Sequence, residues 1–363
     1  MKKVAIVTDW IIGGGAENVV YELHKIYPKA PIYTSYCNQK WRDKLHPAKV
    51  KTGYLQYWPF SKLRKYIPFL RAMWFWRLKL KGYDVVISVS GAEAKAVNVA
   101  DGTHICLLNA PTHYYWSKYS EYIKNPGFGR FNFLARIGLK LFLKPMRKWD
   151  YHAAQLPDLL IANSNYTKGQ IQKYYQRESV VIHPPVNTKK FAKFAKTAAQ
   201  RSGFVAVGRQ TPYKKIDLAI KACNKNKKPL TVIGEGPQNQ YLQSIAQENV
   251  KIVGSLESIE ELAEIVGSSE ALLFPGVDDF GIVSIEALSA GTPVIAYRDG
   301  GALDYIEPGV NGEFFEPQTS ADLAKKMSRF NIKKYTQDDI KNSSADFSIQ
   351  TFRRKITRLV DSL

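Results

Sequence analysis

Short apolar runs alternate with helix-length amphipathic stretches along the whole chain, and this alternation narrows the possible folds more than any other feature. The runs are VAIVT at 4–8, DVVISVS at 84–90, HICLLN at 104–109 and DLLIAN at 158–163. They resume with FVAVG at 204–208, LTVIG at 230–234, KIVGS at 251–255, ALLFP at 271–275 and PVIAY at 293–297. Runs that stay apolar, without strict alternation, suit parallel strands buried on both faces. The stretches between them carry helix signals. Ser164 precedes NYTKGQIQKYY, and Ser258 with Glu261 makes a capping box ahead of ELAEIV. Strand and helix in turn predict doubly wound α/β sheets.

At 363 residues the chain is too long for one ordinary core and comfortable as two. The break is expected at the Pro-rich HPPVNTKKF, before polar and small residues lead to a fresh strand at Phe204. Residues 1–185 then read as one Rossmann-like domain and 186–348 as a second, with the last helix, 349–363, packing back on the first. Hydrophobic residues at 45% and charged residues at 23% indicate a globular chain. No stretch approaches the roughly 20 apolar residues that span a bilayer. Lys2 and Lys3 lead straight into the first strand and Asp9, so no signal peptide is read here. Cys37, Cys106 and Cys223 lie far apart without metal spacing, which suggests free thiols in a reduced, cytoplasmic setting.

Open α/β sheets bind ligands beyond the carboxyl ends of their strands. The first strand runs into IIGGGAE, where Gly13, Gly14 and Gly15 present backbone N–H groups at a helix start; this is a phosphate cradle or a flexible turn. The spacing is not that of a dinucleotide fingerprint. FVAVG runs into Arg209 and, past QTPY, Lys214 and Lys215: a phosphate clamp or an exposed basic loop. VIGEGPQ follows another strand, and Gly234, Glu235, Gly236 and Pro237 there either admit a flat base against the backbone or form a simple turn.

The most specific segment is ALLFPGVDDFGIVSIEALSAGTPVIAYRDGG. Gly281, Ile282 and Val283 open a helix whose N–H groups favour an anion. Glu286 lies four residues after Ile282 on the same helical face, placed to accept from a ribose diol. Asp278, in the preceding loop, is placed to touch sugar hydroxyls. Either acid alone is better explained as a partner of the helix dipole; it is their combination that is improbable by chance.

These residues resemble glycosyltransferase family 4, retaining enzymes of the GT-B fold. GRQTPYKKIDLAI, VIGEGPQ and DDFGIVSIEALSAGTPVIA carry the likeness in the second half. GGGAE, the WD at 149–150 and IANSNYTKGQI…VVIHPPVNTKKF carry it in the first, closest to bacterial mannosyltransferase-like members. The resemblance implies two Rossmann-like domains facing across a cleft. It implies that Arg209 and Lys214 bind the donor diphosphate, with Gly14, Gly15, Gly281 and Ile282 completing the cradle. Glu286 would hold the ribose, Asp278 the transferred hexose, and Gly234 to Pro237 the base. The donor would be GDP- or UDP-linked, the acceptor a glycan or lipid-linked, and neither metal nor cofactor would be needed. Two departures stand out. The family's paired glutamates are Asp278 and Glu286 here, and HICLLNAPTHYYW has Asn109 where relatives carry His and His113 where they carry Arg. Asn109, His113 and Trp116 fall on the acceptor side. The competing expectation is a catalytically weak binding or scaffold protein.

The formal net charge of +20 draws the chain toward polyanions. FSKLRKYIPFLRAMWFWRLKLK at 60–81 interleaves cations with aromatics, and a second basic, apolar stretch runs from Gly127 to Lys148. Each reads as a contact with an anionic membrane, peripheral on its inner face, or as an ordinary helix with its aromatics in the core. No nucleic-acid module is recognisable.

Overall fold

The structure is a computed structural model and describes residues 2–64, 67–124, 132–256 and 258–363. The chain divides into two compact units: Met1–Pro185 with Phe352–Leu363, and Val186–Thr351.

The first unit holds β1 (Val4–Thr8), β2 (Ile32–Thr34), β3 (Val50–Thr52), β4 (Lys79–Leu80), β5 (Val85–Ser90), β6 (Asn98–Val99), β7 (Thr103–Leu108), β8 (Leu159–Ala162) and β9 (Val180–Val181). Seven of these make a sheet in the order β3-β2-β1-β5-β7-β8-β9, and β4 pairs separately with β6. The pairs of the large sheet are parallel, with Ile6 beside both Ile32 and Ile87. Both faces are covered, as the apolar runs require. Ile6 joins one core with Val19, Val20 and Leu23 of helix Gly15–Ile26, while Ala5 and Val7 join another with Phe75 and Val86. The alternation of β1 side chains thus feeds two cores.

The last helix, Ile349–Asp361, contributes Phe352, Ile356 and Val360 to the first of those cores. The spacing of four puts them on one stripe, and burying each contributes about 1.5–3 kcal/mol. Arg353 Nε donates to Glu22 Oε2 at 2.7 Å and Lys2 Nζ to the Val360 carbonyl at 2.7 Å, which fixes the helix on that face.

The second unit holds β10 (Phe204–Val207), β11 (Leu230–Ile233), β12 (Val250–Val253), β13 (Ala271–Phe274), β14 (Val294–Tyr297) and β15 (Gly312–Phe315), ordered β12-β11-β10-β13-β14-β15 and parallel throughout. Strand order reverses between β10 and β13, and in the first unit between β1 and β5. Such reversals splay the connections apart and leave a crevice at the carboxyl ends.

Ser164 Oγ accepts from the Thr167 N–H at 3.0 Å, and Ser258 Oγ from that of Glu261 at 3.1 Å. Only the serine half of the latter capping box forms. Five strands that the apolar runs did not announce, β2, β3, β4, β6 and β9, have two or three residues each, too few to show a period. β15, GEFF, was also missed because polar Glu313 interrupts it.

Candidate functional site

In the second unit the loops after β10, β11, β13 and β14 converge. Gly208 leaves β10 at φ 151, a conformation that side chains avoid. Arg209 follows with an exposed side chain, whereas Gln210 is fully buried. Gln210 Nε2 donates to the Gly234 carbonyl at 2.6 Å, its N–H to the Glu235 carbonyl at 2.8 Å, and its Oε1 accepts from Asn239 Nδ2 at 2.8 Å. This one side chain locks the β10 loop to the β11 loop. The sequence reading passed over it, because a glutamine between Arg209 and Thr211 carries no motif.

The glycines of VIGEGPQ prove to serve packing. A Cβ on Gly234 would fall 2.3 Å from the Gly208 carbonyl oxygen, and one on Gly236 would fall 2.5 Å from that of Gln210. The space they leave is filled by protein backbone, so their smallness does not of itself reserve room for a base. Glu235 and Pro237 are exposed, and Glu235 Oε1 accepts from the Ser255 N–H at 3.2 Å.

A short 3₁₀ turn, Pro212–Lys214, brings Lys214 back over the strand ends. Its ammonium forms an ion pair with Asp278 Oδ2. Burial opposes the lysine's charge, but the Asp278 carboxylate outweighs it and holds the ammonium above the ordinary lysine range. Asp278 Oδ1 is buried and has no hydrogen-bond partner. The approach depends on Gly276, where a Cβ would lie 2.7 Å from the Tyr213 carbonyl oxygen.

Beyond Asp278 the loop is clamped from β14: the Gly301 N–H donates to the Asp278 carbonyl at 2.8 Å, and Tyr305 Oη to that of Phe280 at 2.9 Å. Gly281, at φ 95, ends the loop and caps helix Ile282–Ser289 without a side-chain bond. The N-terminus of that helix, with Ile282 and Val283 half-buried, directly follows the loop that carries Asp278. Glu286 sits one turn in, and burial pushes its carboxyl up to about 8.

The first unit holds the other anticipated residues. Gly14, at φ 152, caps helix Gly15–Ile26. The helix's own Glu17 reaches back, and its Oε1 accepts from the N–H groups of Ile12 at 3.2 Å and Gly13 at 3.1 Å. Part of the glycine cradle is therefore occupied by a carboxylate of the protein. Asn109 and His113 are half-buried beyond β7; the Asn109 carbonyl accepts from Asn163 Nδ2 at 2.8 Å, and His113 Nδ1 lies 3.0 Å from Ser117 Oγ. Trp116 donates its indole N–H to Asp150 Oδ2 at 2.7 Å.

Asp150 is the hub of this region. Lys95 Nζ lies 2.7 Å from its Oδ1, Thr112 Oγ1 donates to it at 2.7 Å, and Tyr175 Oη donates to Oδ2 at 2.6 Å; lysine and aspartate are both fully buried. Asp9, at the end of β1, accepts from four backbone N–H groups, Gly91, Ala92, Glu93 and Ala94, at 2.7–3.1 Å. It bridges the two strands at the reversal of the first sheet. Only its place directly after a strand signalled it.

Residues 60–81 divide. Arg64, Arg71 and Phe75 are buried: Arg71 binds Glu93 through two nitrogens at 2.8 and 2.9 Å, and Arg64 lies 3.7 Å from the centre of the Tyr36 ring. Those two cations do not face solvent, contrary to the membrane-facing reading of the whole stretch. Lys65 and Tyr66 lie outside the described residues, as does the start of the second stretch, 127–131.

The family model "Glycosyl transferases group 1" matches residues 187–346, and "Glycosyltransferase Family 4" matches 13–190. An uncharacterised glycosyltransferase of Methanocaldococcus jannaschii is 26% identical over 195 residues, 52% of this chain and 54% of that protein. The alpha-1,3/1,6-mannosyltransferase of Saccharomyces cerevisiae is 29% identical over 234 residues, 49% of this chain and 46% of that one. The chain thus spans about half the length of these curated relatives. Among solved structures, Anabaena HepE in complex with UDP has a TM-score of 0.71 at 16% identity, covering 99% of this chain and 100% of that one, a likeness of fold.

Proposed function

Because the chain belongs to the family 4 glycosyltransferases and has their GT-B fold, we propose that it moves a hexose, mannose-like, from a nucleotide diphosphate sugar to a glycan or lipid-linked acceptor. The carrying observation is the Lys214–Asp278 pair at the strand-order reversal of the second sheet. A largely buried ammonium there is held charged, and the unbonded Asp278 Oδ1 offers an acceptor for a sugar hydroxyl. Exposed Arg209, on the same loop, supplies a second cation with a bidentate fork.

The glycosidic bond to phosphate stretches toward an oxocarbenium-like state while Arg209 and Lys214 neutralise the departing diphosphate. The leaving phosphate takes the acceptor's proton, so a side-chain base at position 109 is dispensable and the anomeric configuration is retained. Glu286, kept protonated near neutrality, both donates to and accepts from the ribose diol. The protein's cations do the work that a metal ion does elsewhere, and the donor is GDP- or UDP-linked. UDP in the HepE structure and the yeast relative's mannosyl transfer support the two halves of this reading. Such a reaction belongs to cell-surface polysaccharide synthesis, in the cytoplasm at the inner face of a membrane.

The test is a thermal-shift panel of UDP, GDP and their sugars, followed by turnover of whichever donor stabilises the protein. Arg209→Ala and Lys214→Ala each lower turnover about 10²–10³-fold; unchanged rates in both refute the assignment. Asn109, and the Glu17 carboxylate lodged in the glycine loop, favour one rival, a nucleotide-sugar-binding scaffold. Donor binding without turnover on any donor decides for it.

A further inference from the structure

The helix Asn132–Ala153 carries apolar residues that the protein does not cover. From 132 to 149, no residue whose exposure is described is buried. Phe133 is 68% exposed, Leu141 69% and Phe142 65%. A helix of a globular domain ordinarily turns such a stripe into the core. Phe133, Ile137 and Leu141 follow one another at spacing four and so line one face. Arg136, Lys140, Lys144 and Lys148 form the adjacent row at the same spacing, and no acidic residue stands between Asn132 and Trp149.

A second exposed patch is built from Tyr57, Trp58, Phe60, Leu63 and Phe69, of which Trp58 is 77% exposed. It too lies in an acid-free run, since no Asp or Glu stands between Lys44 and Tyr83, and Lys62, Lys79 and Lys81 are exposed within it. The two patches belong to one region of the first unit. Tyr114 donates to Glu93 beside Arg71 of helix Pro68–Arg77, and its ring lies 6.0 Å from that of Tyr122. Arg136 then ties the long helix to the helix of Tyr122 through the carbonyls of Ile123 at 3.0 Å and Lys124 at 2.8 Å.

We propose that these patches form one docking face for an anionic lipid surface. Exposed Trp, Phe and Leu beside rows of lysine, with no acid among them, match the headgroup–acyl boundary in both polarity and charge. Among the described residues no helix is long and apolar enough to cross a membrane, so the long helix lies in the plane of the surface. Nucleic acid would use the lysines and leave the apolar row unexplained. The inference rests on the glycosyltransferase reading only for its purpose, which is to bring the acceptor loops beyond β7 to a lipid-linked acceptor.

The test sediments the full chain with phosphatidylcholine vesicles, with and without phosphatidylglycerol, at low and high salt, while donor turnover is read separately in solution. Binding appears only on the anionic vesicles and weakens with salt. Lys140→Gln with Lys144→Gln lowers partitioning roughly twenty-five-fold, each lysine being worth about five-fold near such a surface. Phe133→Ser with Leu141→Ser lowers the binding that survives high salt, and neither pair changes the unfolding temperature or solution turnover. Failure to bind anionic vesicles at low salt, or variants that bind like the parent, overturn the proposal. A concentration-dependent dimer that the same substitutions dissolve assigns the face to a second copy and overturns it too. Vesicle binding without turnover on any donor leaves the docking face standing and removes the enzyme.

Discussion

Lys214 and Asp278, 64 residues apart in the chain, join the loops on either side of the strand-order reversal in the second sheet. The pair is a structural contact as well as part of the proposed donor site. Asp278→Ala leaves a largely buried ammonium without its carboxylate, and Lys214→Met leaves the carboxylate without a cation. Each costs roughly 1.5–3 kcal/mol, the worth of a hydrogen bond to a charged group. The double variant costs less than the sum, by more than about 0.5 kcal/mol, because the two act on one interaction. Urea unfolding at neutral pH measures all three; strictly additive costs deny the coupling.

Arg209 separates binding from folding. Its side chain is exposed, so Arg209→Ala changes stability by less than about 0.5 kcal/mol. Turnover falls by about 10²–10³ all the same. Arg209→Lys restores charge but not the bidentate fork, and rescues only part of the rate. Steady-state kinetics beside a melting curve reads both effects, and full rescue by lysine means that the fork is not used.

Much of this arrangement was legible before any coordinates. Continuous apolar runs announced β1, β5, β7, β8 and β10 through β14; the segments after them held Arg209, Lys214 and Asp278, and the helix that follows β13 held Glu286. What was not legible depends on partners far apart in sequence. Gln210 matters because it reaches Gly234 and Asn239, and Asp150 because Lys95, 55 residues earlier, meets it. No local pattern encodes such meetings. The basic, aromatic run at 60–81 misled in part for the same reason: Arg71 reads as a surface cation until Glu93 is seen beside it.

Glu286 predicts a pH dependence of stability. Folded, its carboxyl keeps its proton up to about pH 8, whereas the unfolded chain releases it near 4.5. Between those values the unfolded state binds fewer protons, so stability falls as pH rises and levels off above about 8. Glu286→Gln removes this slope, at most about 1.4 kcal/mol per pH unit. It also keeps most nucleotide affinity near pH 7, since an amide donates and accepts as the protonated acid does, while Glu286→Ala loses roughly ten-fold or more. Calorimetry between pH 5 and 9, roughly the span of the transition, compares the two; parallel parent and Gln curves sink the idea.

Gly281→Ala tests the loop that begins helix Ile282–Ser289. The residue sits at φ 95, and a Cβ there meets Tyr305 Oη at 2.5 Å and Phe274 at 2.8 Å. Strain of about 1–3 kcal/mol follows, and the helix N-terminus moves to relieve it. Nucleotide affinity falls with it. Tyr305→Phe removes the hydroxyl that the new Cβ meets, together with its bond to Phe280, so the double variant relieves that clash but keeps the strain of a positive φ and the contact with Phe274. Isothermal titration with the best-binding nucleotide gives the answer, and undiminished affinity in Gly281→Ala would falsify the helix N-terminus as part of the donor site.

Asp150 gathers four side-chain partners in the interior of the first unit. Its two oxygens serve Lys95, Thr112, Trp116 and Tyr175, and the lysine is as buried as the carboxylate. Asp150→Ala strands a buried ammonium and costs about 3–5 kcal/mol, the loss expected when one partner of such a pair is removed. Lys95→Met costs less, because three hydroxyl and indole donors still face the carboxylate. Combining Lys95→Met with Asp150→Leu recovers part of the loss by replacing the pair with apolar volume, although Thr112, Trp116 and Tyr175 then lack that acceptor. The order of melting temperatures should therefore run parent, Lys95→Met, double variant, Asp150→Ala. A double variant less stable than Asp150→Ala would show that the hydroxyl partners, rather than the stranded lysine, dominate the loss.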